Sequence, residues 1–294
     1  MSGALAPAAA RPAAAPRRGF VRPDPVVLLA LPAALYLLVA YGWPLAVLLG
    51  HALTARGSLS LAPFAEFLSD PFSWRVIGNT LRSALLTTLV CLIVGYPAAL
   101  ALARAKGVVQ VVLLLAVILP LSVGVVVKAY AWQIVLRRDG VVSQLLVATG
   151  VWDEPQRLLF TETGLVIGAA NVFLPFMILP IYSVIRLIDP RLIEAAATLG
   201  ATPLHRFLRV ALPLTLPGIV TGLAFVFSMT VSMYVVPSLV IGDRYQTLAT
   251  LTGRAFLFMR NEELGSTTAV LLLLLAVSTV VGSAALARRL GSAS

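Results

Sequence analysis

Long apolar stretches are the feature that most constrains how this chain can fold. Six of them reach or exceed the roughly 20 residues that an α-helix needs to cross a bilayer core. Only 12% of the 294 residues are charged, whereas a soluble domain carries roughly a quarter. The chain is therefore predicted to be an all-α, polytopic membrane protein with about six spans. The predicted spans cover residues 26–50, 77–103, 107–136, 163–185, 210–237 and 264–287.

The N-terminal segment differs in composition from the rest of the chain. Residues 1–25 are rich in Ala, Pro and Arg and have few large apolar side chains, which predicts a disordered tail. Arginines ahead of an apolar run also occur in cleaved signal peptides, but the run at 26–50 is longer than the apolar region of such a peptide. We therefore expect an uncleaved first span, with residues 26–290 forming one membrane domain.

Basic residues predict the side of the membrane on which each loop lies, because cytoplasmic loops carry an excess of Lys and Arg. If the N-terminus lies inside, the tail arginines share a side with Lys106, Arg186 and Arg289. Most acidic residues then lie on the opposite side, as Asp153 and Glu154 do. Both termini, and the polar loop between spans four and five, are predicted to be cytoplasmic.

That polar loop, residues 189–209, carries the signals of helix starts and stops. Asp189 is a good N-cap, and the proline that follows it suits a first helical turn. Gly200 supplies a helix stop, after which Thr202 and Pro203 repeat the cap and the proline. The loop is therefore predicted to form two short helices near the membrane surface, joined by a Gly-Ala turn.

Helical spacing divides the first of these helices into two faces. The face predicted to meet a partner contains Arg191, Glu194, Ala195 and Thr198. The face predicted to rest on the membrane domain contains Leu192, Ala196 and Leu199. A solvated loop helix with ordinary caps would show the same pattern, so the spacing alone leaves both interpretations open.

A longer pattern extends through and beyond the loop. It consists of Glu194-Ala195-Ala196, Gly200-Ala201, Phe207, Leu212-Pro213 and Pro217-Gly218-Ile219. This order resembles the EAA motif of the permease subunits of binding-protein-dependent ABC importers, which lie in the bacterial inner membrane. The resemblance implies a cytoplasmic coupling helix that docks into a groove on a separate ATP-hydrolysing subunit. The docking residues that it implies are Arg191, Glu194, Ala195, Ala196, Thr198, Gly200, Ala201 and Phe207.

The resemblance also implies an assembly of several chains. Its members are a second permease subunit or a second copy of this chain, two ATPase subunits and an extracytoplasmic solute-binding protein. The sequence carries no phosphate-binding loop, since neither Lys106 nor Lys128 follows a glycine. We therefore expect no enzyme activity and no cofactor on this chain, with ATP and Mg²⁺ bound by the partner ATPase.

Two other kinds of site are not expected. Cys91 is the single cysteine, and His51 and His205 lie far apart in the sequence, which argues against a metal site. The net charge of +10 is spread over the tail and the loops. That distribution favours attraction to anionic lipid over binding of nucleic acid.

A narrower resemblance begins in the third predicted span. There, Ile118-Leu119-Pro120 is followed by Lys128-Ala129-Tyr130-Ala131-Trp132, an order similar to that of spermidine/putrescine-type permease subunits. The likeness extends from about residue 79 to residue 242 and makes a polyamine, or a related organic amine or amino-acid derivative, the leading solute. After the fifth span, Pro237-Ser238-Leu239-Val240-Ile241-Gly242 lacks an acid that the subfamily sometimes carries. Opines and other small polar solutes therefore remain open.

Prolines and aromatic residues within the spans predict a solute path. A proline kinks a helix and frees carbonyl groups, which a water-lined cavity can satisfy. Lys128 is either a contact in the outer mouth of the path or a side chain that extends to the interface beside its aromatic neighbours. The predicted path residues are Pro120, Lys128, Tyr130, Trp132, Pro175, Tyr182, Tyr234 and Pro237.

Two other functions are compatible with a chain that crosses the membrane several times. An ion-gradient-driven secondary transporter would show internal repeats and charged midplane sites, neither of which the sequence shows. A non-transporting scaffold would not need a patterned cytoplasmic helix. The favoured prediction is a transmembrane subunit of an ATP-driven ABC importer that forms half of the path for a small polar solute.

Overall fold

The computed structural model describes residues 25–55, 58–242 and 245–291. The predicted disordered tail, residues 1–25, lies outside these ranges apart from Pro25. The chain divides into two compact units, Met1–Val47 and Leu48–Ser294. Helix α1 (Pro25–Ala52) supplies all of the first unit that is described and has prolines at 32 and 44. Every element named below belongs to the second unit.

The regular secondary structure described in the second unit is helical apart from one small hairpin, in which β1 (Thr54–Ala55) pairs antiparallel with β2 (Ser58–Leu59). The later helices are α2 (Ala62–Ser69), α3 (Pro71–Arg104), α4 (Gly107–Ile118), α5 (Val125–Val135), α6 (Val141–Ala148), α7 (Glu162–Leu187), α8 (Pro190–Thr198), α9 (Pro203–Arg206), α10 (Leu212–Val231), α11 (Val235–Val240), α12 (Leu248–Leu257) and α13 (Glu262–Gly291). A 3₁₀ turn, Leu119–Ser122, follows α4, and a π-helical segment, Phe207–Ala211, joins α9 to α10. The predicted all-α class is confirmed.

The number of membrane spans agrees with the prediction. Among the described residues, five helical stretches are long and apolar enough to cross a membrane, and a sixth span results if one bent pair of helices counts as one. The five are Leu31–Ala52, Pro71–Arg104, Glu162–Leu187, Pro203–Val231 and Glu262–Ala285. The bent pair consists of Gly107–Ser122 and Val125–Val135, which meet at 101°.

The third span is therefore not the continuous helix over 107–136 that its apolar run predicts. Pro120 lies in the 3₁₀ turn after α4, and the backbone of Val123 and Gly124 is extended. Proline cannot donate a backbone hydrogen bond, so the helical ladder weakens at this point. Helix α5 starts afresh where the Lys128 amide donates to the Gly124 carbonyl (3.2 Å).

The fifth span also differs from its predicted bounds of 210–237. Its helix begins earlier, at Pro203, and ends at Val231. The short helix α11 follows as a separate element with Pro237 at its third position. Without an N–H, Pro237 cannot donate to the Met233 carbonyl, which disfavours a helix that continues through this turn.

Helix α7 lies at the centre of the core and packs against α3 and α10. Its Leu165, Met177 and Ile181 side chains are fully buried. Helix α10 approaches the α7 backbone closely at Gly218, where an added Cβ would lie 2.9 Å from the Pro180 carbonyl oxygen and 3.1 Å from the Ile181 Cα. Small residues at helix crossings permit such close packing in membranes, where dispersion contacts replace the hydrophobic effect between helices.

Replacement of Gly218 by Ala should therefore destabilise the helix packing. The new methyl group meets backbone atoms that cannot rotate away, and overpacking of this kind costs about 1–3 kcal/mol. Thermal unfolding of the purified chain in detergent measures the loss. Gly282→Ala is the matched control, because a Cβ at Gly282 meets nothing within 4 Å. Equal stability of the two variants would contradict the close approach.

Candidate functional site

Helix α8 is capped at both ends by its own residues. The Asp189 carboxylate accepts a hydrogen bond from the Arg191 amide (2.9 Å), and Pro190 occupies the first turn. At the other end Gly200 has a φ of 79°. The amides of Gly200 and Ala201 donate to carbonyl oxygens in the last turn (3.0 and 3.1 Å), the hydrogen bonds of a Schellman motif. The first predicted short helix and its glycine stop are confirmed.

The second predicted short helix is not an independent element. Thr202 caps α9, since its hydroxyl oxygen accepts a hydrogen bond from the His205 amide (3.3 Å). Helix α9 then continues through the π-helical segment into α10 as one stretch, Pro203–Val231. No residue between Arg206 and Leu212 breaks the backbone hydrogen bonding. The coupling region is therefore one short helix followed by the beginning of a membrane span.

The faces of α8 differ in part from those that spacing predicts. Leu192 is 49% exposed and Leu199 is 88% exposed, so neither rests on the membrane domain. Ile193 and Ala196, one turn apart, are half-buried and face the bundle instead. A helix of nine residues buries only one narrow stripe, and both leucines lie on the same side of that stripe. The exposed residues include those predicted to meet a partner, namely Arg191, Glu194, Ala195 and Thr198.

Phe207 is half-buried and packs against α3, away from the exposed face of α8. Its ring meets the ring of Tyr96 on α3 edge to face, with centroids 5.7 Å apart and 78° between the planes. The Tyr96 hydroxyl lies 3.1 Å from the Thr215 hydroxyl on α10. Ala201 is also half-buried. These contacts fix the end of the coupling region against α3 and α10.

The short helices α5 and α11 come after the breaks in the third and fifth spans, and they pack against each other. The side-chain amide of Gln133 on α5 donates to the Leu239 carbonyl on α11. Beside this contact, the Trp132 indole N–H donates to the Asn171 side-chain oxygen on α7 (3.2 Å). Trp132 and Pro237, both predicted path residues, thus lie on adjacent elements next to α7.

The segment before α7 provides hydrogen-bond donors for the carbonyl groups at the C-terminal ends of both short helices. The amides of Leu158 and Leu159 donate to the Leu136 carbonyl after α5 (3.1 and 2.8 Å), and the Phe160 amide donates to the Val240 carbonyl of α11 (3.0 Å). Phe160 has a φ of 69°, which is uncommon for a bulky residue. This backbone geometry lets one short segment serve two helix ends.

The remaining predicted path residues lie in separate places. The Tyr182 hydroxyl accepts a hydrogen bond from the Gln110 side-chain amide on α4 (3.0 Å), whereas Pro175 is buried within α7. Pro120 lies at the bend after α4, with Lys128 half-buried and Tyr130 exposed on α5. A cavity of about 310 Å³ is lined by Tyr234, Ser238, Gly242, Gln246, Thr250, Arg254 and Phe258.

A polar clamp joins α3, α7 and the segment before α12 at the end of α7 away from α8. The Glu162 carboxylate lies 2.9 Å from the Arg82 guanidinium and 3.1 Å from the Tyr245 hydroxyl. The Tyr245 hydroxyl is also 3.2 Å from the Asn79 carbonyl oxygen, and the Asn79 side-chain amide donates to the Gln246 carbonyl (3.1 Å). Burial raises the pKa of Tyr245, and the neighbouring Glu162 carboxylate raises it further.

Comparison with known proteins places this architecture in a family. Residues 25–291 match the family model for the binding-protein-dependent transport system inner membrane component. The chain belongs to this family. It is 35% identical to the spermidine/putrescine transport system permease protein PotB of Haemophilus influenzae, over 69% of this chain and 71% of that protein. It is also 35% identical to PotB of Escherichia coli K12, over 70% and 74% of the two chains.

Solved structures share the fold of this permease. A bacterial ABC transporter involved in the import of the acidic polysaccharide alginate has a chain that superposes with a TM-score of 0.74 and 18% sequence identity. The match covers 90% of the permease and 95% of that chain. The family match and the two relatives show an ABC importer permease subunit of the inner membrane that crosses the bilayer several times.

Sequence reasoning missed the clamp of this permease. Arg82 and Glu162 are separated by 80 positions, and Tyr245 follows a further apolar run. The available signal was the opposite charge of Arg82 and Glu162 near the same predicted membrane face. Only the parallel packing of α3 and α7 shows that these two side chains meet.

The clamp predicts a loss of stability of the permease at alkaline pH. Because the pKa of Tyr245 is raised in the folded state, the folded chain holds this proton above the ordinary tyrosine pKa of about 10, whereas the unfolded chain releases it. The contribution of protonated Tyr245 to the free energy of unfolding is therefore complete below pH ~10. Above that pH it declines, by at most about 1.4 kcal/mol per pH unit. Thermal unfolding measured from about pH 8 to about pH 11, on both sides of the ordinary tyrosine pKa, shows this decline in stability.

Tyr245→Phe should flatten this alkaline decline. Tyr41→Phe is the control, because Tyr41 is 74% exposed and its replacement should preserve the decline. A Tyr245→Phe variant that loses stability above pH ~10 as steeply as the parent would contradict the assignment.

Proposed function

We propose that this permease is a transmembrane subunit of an ATP-driven importer and that α8 is the surface by which a separate ATPase subunit moves it. In this assembly a second permease subunit, or a second copy of this chain, completes the path. Two ATPase subunits bind ATP and Mg²⁺ on the cytoplasmic side, and an extracytoplasmic binding protein delivers solute. Both termini and α8 lie in the cytoplasm, as the distribution of Lys and Arg favours.

The observation that carries the docking proposal is the exposed face of α8. A helix capped at both ends presents the Glu194 carboxylate, the small Ala195 side chain and the 88% exposed Leu199 together. Small residues allow a partner to approach closely, the carboxylate orients it, and an exposed leucine supplies apolar area to bury. The exposed face of α8 is therefore better suited to contact with a partner protein than to contact with water.

The position of α8 in the chain explains how docking could act on the path. Helix α8 connects α7 to the stretch that becomes α10, and these two helices pack directly on one another. ATP binding that draws the docked subunits together would therefore displace α8 and tilt both helices. Such a shift requires that ATP bind more tightly to one arrangement of the assembly than to the other.

We further propose that the transported solute is a small organic amine of the polyamine class. Two curated relatives at 35% identity are spermidine/putrescine permeases. Among the described residues of the membrane-spanning helices, acids lie only in first turns, at Glu162, Glu262 and Glu263. An ammonium group in the path would then be recognised by aromatic faces such as the exposed Tyr130, through cation–π attraction.

Loss of the α8 surface should release the ATPase without unfolding the permease. Leu199→Ser and Glu194→Gln each alter an exposed side chain, and each should weaken the complex by about 1–2 kcal/mol, roughly five- to thirtyfold in Kd. Co-purification of the ATPase and ATPase stimulation measure this effect. Leu257→Ser is the control, since Leu257 on α12 is 67% exposed and lies outside the coupling region. Unchanged co-purification in both α8 variants would refute the docking surface.

Uptake of spermidine by the reconstituted importer tests the solute. Uptake should require ATP and persist when an ionophore dissipates ion gradients, whereas a secondary transporter would show the reverse. Tyr130→Ala should lower polyamine uptake by about fivefold, because a cation–π contact is worth roughly 1 kcal/mol. Tyr130→Phe retains the ring face and should transport normally. ATP-dependent uptake of another solute, with none of spermidine, would overturn the polyamine assignment and leave docking intact.

A further inference from the structure

A cavity of about 350 Å³ lies beneath the coupling helix, between α3, α7, α8 and α10. Two arginines border it, Arg104 at the end of α3 and Arg206 at the end of α9. The rest of its wall is largely apolar and includes Leu100 and Ile185. We call this space the arginine cavity.

The charge of the arginine cavity is not balanced by the protein. Neither Arg104 nor Arg206 has a carboxylate within 4 Å among the residues that the structure describes. Of the two acids that precede Arg206 most closely in the sequence, Asp189 already caps α8 through the Arg191 amide, and Glu194 is exposed on α8. Two guanidinium groups therefore share one cavity without an anion.

A buried donor in the arginine cavity also lacks an acceptor. The Nε of Arg206 is buried and has no hydrogen-bond partner among the described residues. Buried polar atoms are nearly always paired, and an unpaired donor on a charged group is costly. The Tyr96 and Thr215 hydroxyls, which bond to each other, are further polar groups on the wall.

We propose that the arginine cavity binds a phosphate group, supplied by the headgroup of an anionic lipid. A phosphate oxygen suits the fixed geometry of guanidinium donors, which bind phosphate through paired hydrogen bonds. The apolar wall matches the glycerol and the first part of an acyl chain, whereas free phosphate would use only the polar rim. Basic pockets between membrane helices bind lipid headgroups by these means. The proposal is independent of the transported solute and of docking by the ATPase.

An anion in this cavity would hold α8 against the bundle. Arg206 lies directly before Phe207, whose ring packs on Tyr96 of α3. Ile193 of α8 also borders the cavity. The bound phosphate would thus join α9, which follows the coupling helix, to α3 through Arg206 and Arg104.

Lipid-dependent thermal stability tests the proposal on the full-length permease purified in detergent. A ligand that binds only the folded chain raises its midpoint of unfolding. Added phosphatidylglycerol should raise this midpoint, and phosphatidylcholine should not. Arg206→Met should fold normally, because it removes an unpaired buried donor, but it should lose the shift caused by phosphatidylglycerol. Arg209→Met, which removes the same charge from an exposed position nearby, should keep that shift.

Affinity for phosphatidylglycerol, measured by native mass spectrometry, gives a second readout. Arg206→Met and the exposed-site variant Arg104→Gln should each raise the Kd by about fivefold or more, the effect of one basic residue near an anionic lipid. If Arg206→Met fails to fold, Arg104→Gln carries the test. Inorganic phosphate that reproduces the stabilisation would support the same site with a free anion as its ligand. Equal losses in Arg209→Met, or no binding of either probe to the parent chain, would overturn the proposal.

Discussion

The architecture of this permease depends on satisfying backbone hydrogen bonds where the short helices α5 and α11 end at the buried residues Leu136 and Val240. In lipid no water can pair with a freed carbonyl or amide, so an interrupted span needs partners within the protein. The segment Leu158–Phe160 supplies partners for the C-terminal ends of two such helices, because its amides donate to the Leu136 carbonyl after α5 and to the Val240 carbonyl of α11. Two irregular elements can therefore lie within the same bundle. The positive φ of Phe160 is part of this arrangement.

Helix α7 links this arrangement to the coupling region. Its first residue, Glu162, belongs to the clamp with Arg82 and Tyr245, and its last turn leads through Asp189 into α8. Between these ends, close contact at Gly218 holds α10 against it. The broken helices, the clamp and the proposed docking surface thus all contact α7 or are joined to it. A displacement of α8 would therefore act on α7 and α10, which pack directly on one another.

Features that depend on neighbouring residues were predictable from the sequence. The Asp189 cap, the Gly200 stop and the Thr202 cap all form as their spacing predicts, because each is a hydrogen bond or backbone conformation set within a few residues. The breaks were harder to predict. Pro120 and Pro237 signalled kinks, but the 101° angle between the two halves of the third span depends on the packing of α5 against α7 and α11, which are distant in the sequence.

The sequence by itself determined the all-α membrane class, the number of spans and the family. The length of each apolar stretch reflects the thickness of the bilayer, and the motif of the family lies in one continuous stretch of the chain. Tertiary structure decided which face of α8 meets the bundle, that Phe207 packs on Tyr96, and that Arg82 meets Glu162. It also placed Arg104 and Arg206 around one cavity. These outcomes depend on how α3, α7 and α10 are aligned along one another. That alignment is set by close packing between residues far apart in the chain, which hydropathy and motif spacing do not encode.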